Sequence, residues 1–574
     1  VSRRLKYLHY LAFLLITVIA FWQIAFYWNP VKYDMVDCYY PWRYFIGQCL
    51  QSSQLPLWNP YQNLGSPIHA DPSSGIWYPF VWIIGLSSGY DLKMMGIEYL
   101  AHIFFAAVGF YKLCGTFRIS QWPAFLCATG YMLSGLFTGN AQHLTYVASA
   151  CWLPYVLNYF IRTARETNVL NPLKGSVFLF LMITGGYPAF TIILFYLLLI
   201  LAAWYSFRFW RRSEKRQLLL FYARCALFVV VALLLSAAML TAVMQVSSFI
   251  TRTNQFPLHR ALFSPFSPQS AISFILPFGT VKSAEFFDTD MSMSNAYIGG
   301  SLFLMALLAL FRRKEGELKI LFWFGIFALL ASFGKYLPVR EFLFHYVPGM
   351  NLFRFPSVFR LFVIIALLLC AARWMQDYLT SPSAKPRKSL ITLACSFALA
   401  LLGLIVALRL NDYINIRELL GSGLFRQAPE TTLCQHLVLQ AAIQIIFFCL
   451  LAFTWWKVQD KQQQIRFTGL LLIADLLLAT QLNAPYTVYG ETSVGEADAH
   501  IKKFPAGFPL LKDQNIADVN PHEVYKPPFW KNVNIFQKQI SADGFNSFAF
   551  TAFEELRDEH PNLYSTMIHN RPAY

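Results

Sequence analysis

The chain has 574 residues, 56% of them apolar, 17% aromatic and only 13% charged, with a net charge of +16. A soluble protein of that length needs more polar surface than this composition supplies, so the chain reads as a polytopic membrane protein. The positive charge does not indicate nucleic acid. Lysines and arginines fall in short linkers between apolar runs, not in a basic stripe among exposed aromatics.

The N-terminal Val1-Ser2-Arg3-Arg4-Leu5-Lys6 leads into a long apolar run with no small-residue cleavage signature, which predicts a retained first span. Thirteen spans are expected in an all-α bundle, at about 8–28, 93–113, 121–138, 143–161, 175–187, 189–207, 217–247, 296–311, 318–333, 356–376, 389–409, 434–456 and 466–482. Residues 74–87 are too short to cross and are expected to lie on or dip into the membrane. Gly185-Gly186-Tyr187-Pro188 splits one apolar run and reads either as a tight outer turn or as a broken helix lining a cavity.

With the N-terminus in the cytoplasm, the inner linkers 112–118, 162–174, 208–216, 312–319, 373–388 and 457–466 are nearly all rich in Lys and Arg. The first outer loop, 29–92, instead carries Lys32 and Arg43 against Asp34, Asp37, Asp71 and Asp91. Further outer segments are 249–295, 334–355 and the tail 483–574. The chain therefore divides into a transmembrane unit, 1–482, and an extracytoplasmic C-terminal segment, 483–574. No internal repeat of the kind that marks many transporters is visible. Ten cysteines lie mostly inside apolar runs without metal spacing, and read as small core hydrophobes.

Chemistry concentrates in the first outer loop. Asp34 and Asp37 are three apart and share a face if helical. In transfer of a sugar from a lipid phosphate, one carboxylate can act as the base that deprotonates the acceptor hydroxyl. The phosphate leaves carrying its own charge, so the second carboxylate is free to position substrate or hold a metal. The same spacing suits a pair of solvated interfacial acids, or two-carboxylate glycoside hydrolysis. Glu98 and His102 lie four apart on one face of the second span, where ionisable groups face a cavity or each other. His143 stands at an outer helix edge. Arg354, at the outer start of the tenth span, can clamp a phosphate through two N–H donors or snorkel to ordinary headgroups. Arg360 favours snorkelling, and Asp475 in the last span is expected to pair inside the bundle.

Several motifs carry a resemblance. They are Asp34-Met35-x-Asp37, Tyr40-Pro41-Trp42-Arg43, Leu55-Pro56-Leu57-Trp58-Asn59-Pro60, Ala70-Asp71-Pro72 and Trp77-Tyr78-Pro79 in the first loop. Further along come Trp152-Leu153-Pro154, Gly186-Tyr187-Pro188, Tyr297-Ile298-Gly299-Gly300 and Arg354-Phe355-Pro356-Ser357. Together they resemble the YfhO-like family of bacterial membrane proteins, within the GT-C glycosyltransferases, over about residues 5–490. Tyr33 departs from the pattern, which has a glycine before the first aspartate, and members continue through a longer outer region to a final span.

The resemblance implies a hexosyltransferase of the bacterial inner membrane. It takes its sugar from a polyprenyl-phosphate donor on the outer face and passes it to an envelope glycan, polymer or lipid. Asp34 is then the favoured catalytic carboxylate and Asp37 the second. Arg354, His69, Asp71, His143, Glu98, His102 and Tyr187 are candidates for binding donor or acceptor. Two carboxylates permit a divalent cation, Mg or Mn, without demanding one. Membrane lipids are the other expected partners, and no nucleic acid is. A flippase of lipid-linked glycans using Glu98, His102 and Asp475, or a scaffold acting through 483–574, are the rival readings.

Overall fold

The computed structural model describes residues 3–250, 256–382, 385–410, 417, 421, 423, 425–504, 529–541, 544–546, 548 and 550–560. Parts of the expected outer tail (505–528, 542–543, 547, 549 and 561–574) thus lie outside the described residues. Among those described there is no strand, only three isolated antiparallel bridges. The protein is an all-α, polytopic bundle.

Helix α1 (Arg3–Ala20) rises to the first loop, which holds α2 (Tyr40–Gln51) and the nine-residue α3 (Pro79–Ser87). Then follow α4 (Leu92–Thr116), α5 (Gln121–Met132), α6 (Leu144–Arg165), α7 (Leu170–Gly185), α8 (Pro188–Arg211), α9 (Lys215–Leu235) and α10 (Ala237–Val246). The second half comprises α11 (Gly300–Leu310), α12 (Gly316–Ser332), the short outer α13 (Val339–Tyr346), α14 (Arg360–Thr380), α15 (Lys385–Leu410), α16 (Leu433–Lys457) and α17 (Lys461–Thr487).

Eight helices among the described residues are long and apolar enough to cross a membrane: α4, α6, α8, α9, α14 with its preceding turn, α15, α16 and α17. The other five expected spans correspond to shorter or less apolar helices. α6 and α14 form the bundle's interior and are buried almost throughout, whereas α9 and α15 expose most of their apolar surface. Three expected spans are interrupted: 8–28 breaks at Phe21, 121–138 stops at Met132, and 217–247 breaks at Ser236.

The run 175–207 resolves as a tight turn. Gly185 and Gly186 end α7, Tyr187 is extended, and Pro188 opens α8, where its missing N–H and fixed φ cost nothing. Both glycines mark close approaches, Gly185 to the Tyr78 ring and Gly186 to the Ser149 hydroxyl, where a Cβ has no room.

α11 has only 11 residues, and its N-terminus starts inside the bundle. Asp475, midway along α17, caps it. Its carboxylate accepts from Gly300 N–H (3.0 Å), Tyr297 OH (2.6 Å) and Gln444 Nε2 (2.8 Å). Irregular backbone at membrane depth is tolerated where protein donors and acceptors satisfy it, and this aspartate does so.

Candidate active site

The segment before Asp34 is sutured to the end of α17. Lys32 N–H donates to Val488 O (3.0 Å), Lys32 Nζ to Pro485 O (2.7 Å), and Asn29 Nδ2 to Gly490 O (3.0 Å). Tyr33 then turns the chain with φ +57°, the left-handed region that favours glycine. Glycine is the residue that the sequence resemblance leads one to expect here. Here a tyrosine takes the strained conformation, its ring 4.6 Å from the Lys32 ammonium. The reversal delivers Asp34 into a π-helical turn, Met35–Tyr39, continuous with α2.

Asp34 Oδ2 lies 3.6 Å from His143 Nε2, which stands at the N-terminus of α6. The Asp34 side chain is one-third exposed, so it can reach a substrate. Burial raises its pKa; His143 and Arg354 oppose that rise, and Asp290 adds to it. Burial also lowers the pKa of His143, against the pull of Asp34 and Asp290.

A run of stacked rings leads away from this pair. His143 lies on Tyr146 (4.9 Å), and Tyr146 on Tyr187 (4.7 Å). Two arginines flank the stack, Arg360 electrostatically coupled to Tyr146 and Arg340 to Tyr187. Arg360 is 1% exposed and donates from Nη2 to Ser292 O (2.6 Å), while its Nε and Nη1 have no hydrogen-bond partner among the described residues. Arg340 is fully buried, donates from Nη2 to Phe353 O (3.0 Å), and likewise leaves Nε and Nη1 unmatched. Burial pushes the Arg340 guanidinium down to about 10. Neither arginine forms an ion pair with a carboxylate among the described residues. The buried hydroxyls of Tyr187 and Ser357 are also unmatched. Unmatched cationic donors in a protein interior are costly, and an anion is what offsets that cost. Phe355, between Arg354 and this cluster, also sits at positive φ (+63°), so strained backbone brackets the site on both sides.

The expected residues therefore separate into three groups. Asp34, His143, Arg354 and Tyr187 come together. Asp37 lies close to Asp34, but its Oδ1 accepts from the backbone N–H groups of Trp530 (2.7 Å) and Lys531 (3.1 Å), and burial pushes its pKa up to about 6. Asp71 accepts from Asn546 Nδ2 (2.9 Å) and Ser73 N–H (2.8 Å), and His69 Nδ1 donates to Leu57 O (2.6 Å). Asp37 and Asp71 thus tie the C-terminal segment onto the first loop, helped by Gln62 donating to Asn532 Oδ1 (2.6 Å).

Glu98 and His102 belong to a separate buried network. Glu98 accepts from Tyr90 OH (2.9 Å) and faces the Arg43 guanidinium at 3.7 Å. His102 Nδ1 donates to Glu98 O (2.6 Å), and its Nε2 accepts from Tyr78 OH (2.6 Å), which accepts from Trp152 Nε1 (2.9 Å). These contacts fasten α2 and the start of α3 to α4 and α6.

Arg340 and Asp290 are residues that sequence reasoning missed, and it read Arg360 as a snorkelling side chain. Nothing local marks Arg340 as buried, since it sits in a short outer helix of mixed polarity. The donor set does not recommend a metal centre. Among the described residues no three His, Cys, Asp or Glu side chains gather, and Asp37 commits an oxygen to two backbone donors.

An apolar cavity of about 620 Å³ lies between α8 and α12. Trp204 and Lys319 line one end, Leu343 and Phe359 the other. Leu343 is three residues from Arg340 and Phe359 precedes Arg360, but neither arginine lines the cavity.

No protein-family model matches the sequence, and no curated protein matches it. Solved structures do. ArnT from Cupriavidus metallidurans in the apo state superposes with a TM-score of 0.52 at 11% identity, over 94% of this chain and 86% of that one. The same protein bound to undecaprenyl phosphate gives 0.49 at 13% identity over the same shares. The Archaeoglobus fulgidus oligosaccharyltransferase gives 0.43 at 11%, over 95% of this chain and 64% of that one. At such identities the likeness concerns the fold alone: the chain shares the overall fold of ArnT.

Proposed function

We propose that the chain is a multi-pass membrane glycosyltransferase of the YfhO-like type. It takes a sugar from a polyprenyl-phosphate donor at the extracytoplasmic end of the bundle and passes it to an envelope glycan, polymer or lipid. The observation that carries this reading is the pair Arg340 and Arg360, buried with unmatched N–H donors beside the ring stack that leads from His143. A phosphate satisfies those donors, and an isoprenoid chain suits the apolar walls of the cavity between α8 and α12.

In this reading Asp34 takes the proton from an acceptor hydroxyl. The oxygen attacks the anomeric carbon, a new glycosidic bond forms, and the bond from that carbon to the phosphate oxygen breaks. The lipid phosphate leaves with the bonding pair, its charge held by Arg340 and Arg360, and with Arg354 near Asp34. His143 holds Asp34 in place and steadies its charged form. Asp37 and Asp71 position the loop by anchoring the C-terminal segment, and Glu98 and His102 support the helices beneath. The charge pattern supports an N-terminus in the cytoplasm of a bacterial inner membrane.

The test is binding of polyprenyl phosphate without sugar to the purified protein. Wild type is expected to bind it, and Arg340→Gln/Arg360→Gln to bind at least about tenfold more weakly. Equal binding by both contradicts the donor-site assignment.

A further inference from the structure

At the end of the bundle opposite Asp34, a second cavity of about 680 Å³ opens among the ends of α4, α6, α8 and α14 and the start of α12. Six cationic side chains and three carboxylates line it. The carboxylates are matched: Glu317 by Arg165 through two bonds (2.9 and 2.8 Å), Asp377 by Arg373 (2.8 Å), and Glu315 by Arg313 (3.6 Å). Lys314 donates to Ala309 O and Leu310 O and so caps α11. Arg118 and Arg208 are left, exposed and with no carboxylate partner among the described residues. Arg118 follows α4 at φ +57°, and Arg208 lies over the Trp204 ring at 5.5 Å in the last turn of α8.

Basic linkers on one membrane face are ordinary, and solvated ones point their charges apart. Here linkers far apart in sequence turn them into one concavity with an excess of three positive charges. Phe117, Ile119 and Leu318 line the same cavity, so apolar wall and cationic wall adjoin. We propose that this cavity binds a phosphate-bearing anion through Arg118 and Arg208, either the headgroup of an anionic phospholipid or a soluble phosphate compound. The mixed wall at the membrane boundary suits a phospholipid headgroup, whose phosphodiester meets the guanidinium groups while its acyl end stays apolar. The orientation given by the charge pattern makes this the cytoplasmic face.

The full chain in neutral detergent is the sample, read by native mass spectrometry and thermal unfolding. The probes are phosphatidylglycerol, phosphatidylcholine and inorganic phosphate at matched ionic strength. Wild type is expected to retain phosphatidylglycerol over phosphatidylcholine. Arg118→Gln/Arg208→Gln should hold it at least about tenfold more weakly, and Arg118→Lys/Arg208→Lys should recover part of the loss. Protection of wild type by inorganic phosphate, lost in the Gln variant, keeps the site and makes its ligand soluble. Equal retention of each probe by wild type and the Gln variant, or retention of none, overturns the proposal. The single variants Arg118→Gln and Arg208→Gln, scored the same way, serve if the double variant does not fold.

Discussion

Asp34 Oδ2 and His143 Nε2 lie 3.6 Å apart, joining the loop after the first helix to the N-terminus of the most buried one. The carboxylate remains one-third exposed while its partner is nearly enclosed, so one group is open to solvent and the other faces protein.

That relationship has a pH signature. Burial sets the Asp34 pKa above 3.8, and His143 restrains the rise. Transfer by the ionised base is therefore lost as pH falls through that raised value. His143→Ala should move the acid limb of the kcat/KM profile to higher pH. A limb that stays in place, with only the plateau lowered, contradicts this electrostatic role.

Asp37 is expected to act on the C-terminal segment rather than on the bond being made. Asn keeps an acceptor for Trp530 and Lys531 N–H, whereas Ala removes it. Asp37→Asn should therefore retain most transfer and Asp37→Ala should lose it with loosened packing, as read by activity and proteolysis of the tail.

Stability against pH gives a second readout of Asp37. Its pKa of about 6 exceeds the ordinary carboxylate value of 3.8, so between these values the folded state keeps a proton that the unfolded state has released. Its contribution is thus largest below the lower value and declines by about 3 kcal/mol as pH rises through the higher one. Asp37→Asn should flatten that part of the stability–pH curve. An unchanged slope contradicts the assignment.

Tyr33 holds a left-handed conformation that costs a side-chain-bearing residue about 1–2 kcal/mol. Tyr33→Gly relieves this but loosens the unfolded chain and loses the Lys32 contact, so stability should stay within about 1 kcal/mol of wild type. Tyr33→Ile should cost more, since a β-branched residue fits that region poorly. Thermal unfolding of the three proteins checks the order.

Asp475 separates the enzyme reading from the flippase. Its carboxylate is occupied by three protein donors, which Asp475→Ala leaves buried and unmatched, at a cost of about 3 kcal/mol or more. Variants here should lose folded yield while the folded fraction transfers sugar normally. Normal yield with lost proton-dependent lipid movement favours the flippase.

The sequence carried the membrane class, the helical bundle and the clustering of acids after the first span, because hydropathy and charge are local signals. It also carried the turn at Gly185-Gly186-Tyr187-Pro188 as one of two readings, since Gly and Pro punctuate helices directly. What it could not carry was pairing at long range. Asp37 meets Trp530 from 493 residues away, and no local feature distinguishes an anchoring aspartate from a catalytic one. Arg360 was legible as an interfacial arginine but not as a buried one, because burial depends on α6 and the loop around Ser292 closing over it. The glycine expected at position 33 has a backbone reason, a positive φ that Tyr33 adopts without it.

The central claim is that Asp34 is the base of a sugar transfer. The most direct measurement is transfer from synthetic polyprenyl-phosphate sugars to envelope acceptors by purified protein in lipid, wild type against Asp34→Asn. The account predicts transfer by wild type and a loss of at least about a hundredfold in the variant, with polyprenyl-phosphate binding retained. Transfer by a normally inserted Asp34→Asn protein at the wild-type rate contradicts it.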